Sequence, residues 1–290
     1  MAKSLRFDTR VAVVTGGGSG LGRACALSLA QRGAKVLVND LGTTYRGLPE
    51  TAYIADFVVE EIKTSGGVAV ANYDSVEYGD RIITAALREF GRVDVIVNCA
   101  GVLRDQGFAK MSNTDWDLVM KVNLKGAFLV MNAAWPHMKK QQYGRIVNIG
   151  NIAGVRGGNR VSATAAAKMG LHGLTTALAS EGLKRNIRAN TIAPSAPEAS
   201  KKLVPEEVVP LVLWLAHEDC MVTGNLIQAG EGLVAMLRVE RSRGVVLGKK
   251  FGAEDVRKHW SRIVDFSLKT DAPSDLPDAL EKFKAHKPKL

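Results

Sequence analysis

Apolar runs of four to six residues recur along the chain and alternate with longer stretches of helical periodicity. The runs at 11–15, 35–39, 68–71, 93–98, 145–149 and 187–192 are rich in Val and Ile with few polar interruptions. Parallel strands covered by helices on both faces read this way. Helices are expected at 21–31, 52–64, 78–90, 115–140 and 163–183. Three of them stop near Gly33, Gly66 and Gly91, and glycine takes the left-handed turn after a helix without a Cβ clash. Strand–helix alternation of this kind predicts an α/β fold, a doubly wound parallel sheet of Rossmann type. The alternation ends near Leu237, so residues 1–237 read as one Rossmann domain and 238–290 as a C-terminal extension. That extension holds one amphipathic helix candidate at 253–268 and a Pro/Asp-rich stretch at 270–278.

Composition narrows the class. The 290 residues are 46% apolar and 23% charged, enough to bury a core, which excludes disorder over most of the length. The longest apolar run, 208–216, is interrupted by Pro210 and falls short of the roughly 18–20 residues of a membrane span. The N-terminus lacks the apolar core of a signal peptide. Cys25, Cys99 and Cys220 are too far apart for a disulfide framework or a CxxC metal clip and fit a reducing compartment. His137, His172 and His217 have no ligand spacing with Cys or carboxylates, so no metal is expected. The net charge of +10 is unusual; residues 238–290 carry 13 Lys/Arg against 8 Asp/Glu, half of it. A solvated basic tail accounts for this. A nucleic-acid or acidic-polymer binder is an alternative resting on charge alone, with no accompanying nucleic-acid module.

The strongest chemical signal is Thr15-Gly16-Gly17-Gly18-Ser19-Gly20-Leu21-Gly22, directly after the first strand and opening the first helix. Glycines there make a tight turn, admit a pyrophosphate to the backbone and aim helix N–H groups at it. The second strand ends in Asn39-Asp40. A carboxylate about 20 residues past the glycines accepts from ribose hydroxyls and repels a 2′-phosphate, which favours NAD over NADP. Arg23 or Arg46 would offset that repulsion.

Thr15-Gly-x-x-x-Gly20-x-Gly22, Asp40, Asp74, Asn98-Cys-Ala-Gly101, Asn123 and Lys168 together resemble the short-chain dehydrogenase/reductase family. Stretches such as Val38-Asn-Asp-Leu-Gly42, Leu103-Arg-Asp105 and Asn190-Thr-Ile-Ala-Pro194 are similar to its (3R)-hydroxyacyl-CoA dehydrogenase branch, the dehydrogenase part of peroxisomal multifunctional enzyme type 2. The resemblance runs from about Leu5 to about Phe266. It implies oxidation of 3-hydroxyacyl-CoA in fatty-acid β-oxidation, with an acyl-CoA-like substrate. It places Asp74 near the adenine, with Ser75 and Pro194 also on the cofactor, and lines the cofactor with Asn98, Ala100 and Gly101. It gives Asn123 a share in holding a proton-relay water. The helices at 115–140 and 163–183 resemble the pair that forms the family's four-helix homodimer interface. The terminal Pro-Lys-Leu resembles a weak peroxisomal address, a cytoplasmic location being the alternative.

The chemistry of the family needs a tyrosine to move the hydroxyl proton, a lysine four residues later, and a serine to hold the substrate oxygen. The lysine is Lys168, but Thr164 stands at the tyrosine position and Asn151 at the serine position. The amide of Asn151 can still hold an oxygen. A threonine hydroxyl is far less acidic than a phenol and its side chain is shorter, so loss of roughly 10²–10⁴-fold in rate is expected. The segment between Pro194 and Pro210, which covers the substrate in the related branch, is also shorter here, by roughly ten residues. Two readings follow: a residual oxidoreductase using Lys168, Asn123 and Asn151 with water, or a non-catalytic dinucleotide-binding pseudoenzyme or dimer partner.

Overall fold

The computed structural model describes residues 4–44, 46–48, 53–195 and 203–267. Five-residue runs rich in Val form β1 (Val11–Thr15), β2 (Lys35–Asn39) and β3 (Val68–Asn72), followed by β4 (Val95–Asn98), β5 (Gly144–Ile149) and β6 (Ile187–Pro194). Two further strands, β7 (Leu226–Gly230) and β8 (Leu233–Leu237), complete an eight-stranded sheet of order β3-β2-β1-β4-β5-β6-β7-β8. The pairings from β3 through β7 are all parallel.

The helices are α1 (Gly20–Gln31), α2 (Ile54–Thr64), α3 (Gly79–Phe90), α4 (Asn113–Met120), α5 (Ala127–Gln141), α6 (Ile152–Arg156), α7 (Ser162–Gly182), α8 (Pro205–Ala216) and α9 (Ala253–Ile263). Alternation within each strand divides the core between the two faces of the sheet. Ala12, Val14, Val36, Val38, Val95 and Val97 pack with α1, α2 and α8 on one face. Val13, Leu37, Ile96 and Ile146 pack with α3, α5 and α7 on the other. This two-sided burial is why the strands read as continuous apolar runs.

The chain divides into two compact units, Met1–Met236 and Leu237–Leu290. Every buried hydrophobic residue among those described lies between Phe7 and Ala229. In the second unit, α9 is amphipathic and has no buried residue. Its helix ends at Ile263, five residues before the expected end; the last expected position, Leu268, lies outside the described residues, as do the Pro/Asp-rich stretch and the terminal Pro-Lys-Leu. So does the expected first turn of the second helix at Ala52.

The helix expected at 115–140 is continuous but not uniform. Between α4 and α5 the segment Lys121–Gly126 is a π-helix, a single wide turn inside a longer helix that residue types do not announce. The apolar run at 208–216 forms most of α8, which carries Pro210 inside it. No helix among the described residues is long and apolar enough to cross a membrane.

Candidate active site

The order of the sheet reverses between β1 and β4, and the loops leaving their C-terminal ends part to form a cleft of about 530 Å³. The β1 loop floors it. Gly16 (φ +62) and Gly20 (φ +49) hold conformations that L side chains rarely adopt. A Cβ on Gly16 would stand 2.8 Å from the Ala100 backbone, and one on Gly22 2.0 Å from the Gly16 carbonyl oxygen. A Cβ on Gly20 would meet nothing within 4 Å beyond its own stretch of chain. Ser19 is the N-cap of α1 but makes no side-chain cap. The first turn of a 12-residue helix thus presents N–H groups to open space, where an anion is favoured.

Asp40 lines the same cleft at the end of β2. Its Oδ2 accepts from the Gly18 N–H and its Oδ1 from the Gly42 N–H, both at 2.9 Å. Backbone contacts therefore fix both oxygens, and each keeps a lone pair for a ligand hydroxyl. Asp74 is tied to Asn72 Nδ2 at 2.8 Å, and Ser75 Oγ accepts from Glu77 N. Thr15 Oγ1 accepts from Ala100 N, joining the two loops that flank the cleft.

Beneath the cleft, six strands place polar residues in one register: Asn72, Asn39, Thr15, Asn98, Asn148 and Thr191. Asn39 donates to Asn72 Oδ1, and Asn98 to Asn148 Oδ1, each at 2.8 Å. Asn148 and Thr191 converge on Thr175 Oγ1, which donates to the Leu171 carbonyl. A buried polar row of this kind rigidifies the sheet end only because its members satisfy one another. The exception is Asn98 Oδ1, which has no partner among the described residues.

On the other side, Lys168 of α7 is half-buried and its Nζ donates to the Ile149 carbonyl at 2.8 Å. Burial pulls its ammonium down to about 8, against the influence of Cys99. Thr164, one turn earlier, is 3% exposed, and its hydroxyl has no hydrogen-bond partner among the described residues. Asn151 lines the cleft and caps α6, its Oδ1 accepting from Ala153 N at 2.7 Å. Its amide N–H groups make no bond among the described residues. Asn123 sits in the π-helical segment. Its Oδ1 accepts from Val102 N (2.7 Å) and its Nδ2 donates to Val102 O (2.9 Å).

The short chain dehydrogenase family profile matches residues 10–202. The chain belongs to the short-chain dehydrogenase family. It is 49% identical over 280 residues to the peroxisomal multifunctional enzyme type 2 of Mus musculus, covering 92% of this chain and 38% of that protein. It is 34% identical to the 3-oxoacyl-(acyl-carrier-protein) reductase of Thermotoga maritima, across 79% of this chain and all of that one. The solved structure of full-length peroxisomal multifunctional enzyme type 2 from Drosophila melanogaster superposes with a TM-score of 0.84 at 38% identity, over 97% of this chain and 50% of that one. The chain spans well under two thirds of these multifunctional relatives.

Short-chain dehydrogenases are NAD(P)-dependent oxidoreductases, and the residues here fit such a dinucleotide. A glycine cradle that a Cβ would fill lies at a helix N-terminus, with a fixed carboxylate beyond it. The cleft brings together Gly16, Ser19, Gly20, Leu21, Gly22, Asp40, Asp74, Ser75, Ala100, Gly101 and Asn151. Thr15 and Asn98 stand just behind it in the polar row, and Pro194 closes β6. Thr164, Asn123 and Lys168 are not among its lining residues. Cys99, within the predicted Asn98–Gly101 stretch, lines the cleft as well. Sequence reasoning missed Glu77, Leu118 and Leu203, which also line it; only Glu77, two residues after Ser75, had a signal in its neighbours. The segment at 196–202, expected to cover the substrate, lies outside the described residues. Among the described residues, no three His, Cys, Asp or Glu side chains converge to hold a metal ion.

Proposed function

We propose that the chain binds NAD in this cleft and is a 3-hydroxyacyl-CoA dehydrogenase-like protein whose hydride-transfer centre is largely lost. The observation that carries the reading is Thr164: at the tyrosine position stands a buried hydroxyl with no partner among the described residues. Bound nicotinamide supplies the hydride acceptor. The chain must supply a group that takes the substrate's hydroxyl proton. Thr164 is too weak an acid and is enclosed, and Lys168 is held on the Ile149 carbonyl. Asn151 keeps an amide donor for a substrate oxygen. Asn123 holds the loop after β4 through Val102 and so positions the cleft wall.

Asp40 supports NAD over NADP, because a 2′-phosphate would meet a carboxylate already fixed in place. The names of the multifunctional relatives support a peroxisomal site of action. Exposed Phe128 of α5 and Met169 of α7 are consistent with homodimer pairing through those helices.

The test has two steps. Intrinsic fluorescence should saturate with NAD, and Asp40→Ala should weaken NAD by about tenfold or more while narrowing the preference over NADP. NAD reduction by a 3-hydroxyacyl-CoA is then compared between the natural chain and Thr164→Tyr with Asn151→Ser. Activity confined to the double variant supports the reading. Equal activity in both would refute it, and NAD binding by the variant reports that it has folded.

A further inference from the structure

A second cavity, of about 540 Å³, adjoins the cofactor cleft, and its wall holds Arg46, Arg104 and Arg160 with Asp105 and Asp115. The two spaces share a thin partition. A Cβ on Gly47 would lie 3.6 Å from Arg104 Nη2 and 3.6 Å from Val102 Cγ1, and Gly47 and Val102 line the cleft.

The arginines are held in place. Arg104 donates through Nε to Asp115 Oδ1 (2.7 Å) and through Nη1 to the Arg46 carbonyl (2.6 Å) and the Leu103 carbonyl (3.1 Å). Arg160 donates through Nε to Asp105 Oδ1 (2.9 Å) and through Nη2 to the Asp105 carbonyl (3.0 Å). Gln106 N donates to the Arg160 carbonyl, so the loops after β4 and α6 are fastened together. Arg160 keeps φ at +66 within this clasp, a conformation that non-glycine residues rarely adopt. Nη2 of Arg104 and Nη1 of Arg160 make no hydrogen bond among the described residues. Arg104 Nη2 and Arg160 Nη1 therefore remain as charged donors on two guanidinium groups that line one cavity, with three positive groups against two negative ones. Charged N–H donors of this kind match the oxygens of a phosphate.

The cofactor does not account for them. Its pyrophosphate has the glycine turn at α1, and a 2′-phosphate would meet Asp40. We infer that the Arg104–Arg160 cavity binds the phosphates of the substrate's coenzyme A arm. The inference rests on the CoA-thioester reading above and names where the full chain would grip that substrate.

The probe is desulfo-coenzyme A, titrated calorimetrically into the full chain, with NAD and NADP titrated separately. Arg160→Gly removes the guanidinium while suiting the positive φ, so the fold is retained, as a thermal melt would show. It should weaken desulfo-coenzyme A by about tenfold, the worth of one charge-assisted contact, and leave NAD within about twofold. Arg160→Lys should recover part of the loss, and added salt should weaken the wild-type affinity. No saturation by wild type, or an unchanged affinity in Arg160→Gly, would overturn the inference. So would a loss of NADP affinity in place of CoA affinity, which would assign the cavity to a cofactor phosphate. Desulfo-coenzyme A saturation without NAD saturation would instead sink the cofactor reading and support the cavity.

Discussion

Lys168 shows how one residue carries both fold and chemistry. The spacing Thr164-x-x-x-Lys168 puts both on one face of α7, as i, i+4 positions must lie, and so much was legible in the sequence. The hydrogen bond from Nζ to Ile149 and the depressed pKa were not, because both depend on β5 and α6 closing over the side chain. The depression has a consequence for stability. Between about 8 and its ordinary 10.5, Lys168 is neutral in the folded chain and still protonated in the unfolded one. The unfolded state then binds more protons, so this residue makes stability rise with pH across that window, and its burial penalty is fully present below about 8. Urea midpoints measured from pH 7.5 to 10 should rise less in Lys168→Met than in the natural chain; parallel curves would contradict the shift.

Among the elements, the six strands read from the sequence agree with β1 to β6 within two residues, because burial on both faces leaves a local apolar signature. The pieces that were not read have no such signature. The helix α6 has five residues and takes its start from the Asn151 cap. The strands β7 and β8 are separated by only Glu231 and Gly232, too little for a crossover helix to announce them. The π-helical turn is the most consequential omission. It places Asn123 so that its amide closes two bonds with the backbone of Val102, which is itself buried. Asn123→Ala would leave that N–H and C=O without partners and should cost about 2–4 kcal/mol. It should also loosen the Gly101–Arg104 loop, so the urea midpoint and NAD affinity should fall together. A stability loss with unchanged NAD affinity would show that the loop does not need this tie.

For the whole molecule, charge and core separate along the chain. The extension from 238 holds half of the net charge of +10, whereas all buried hydrophobic residues described precede 230. A chain stopped after Leu237 should therefore unfold cooperatively and bind NAD within about twofold of the full chain, the core supplying most of the stability. Loss of cooperative unfolding would mean that the extension is part of the fold. By itself the sequence determined the alternation of strands and helices, the glycine turn followed by Asp40, and the spacing that sets Thr164 one helical turn before Lys168. Each of these lies within one short stretch, where spacing and side-chain type decide the outcome. Only the tertiary structure decided that the Thr164 hydroxyl is buried with no partner among the described residues, that Asn123 is bound to Val102, and that Arg104 and Arg160 line one cavity. The last two facts join residues about 20 to 60 positions apart in the chain. Their partners are set by which strands become neighbours, and here β1 lies between β2 and β4, a long-range arrangement that no local pattern encodes.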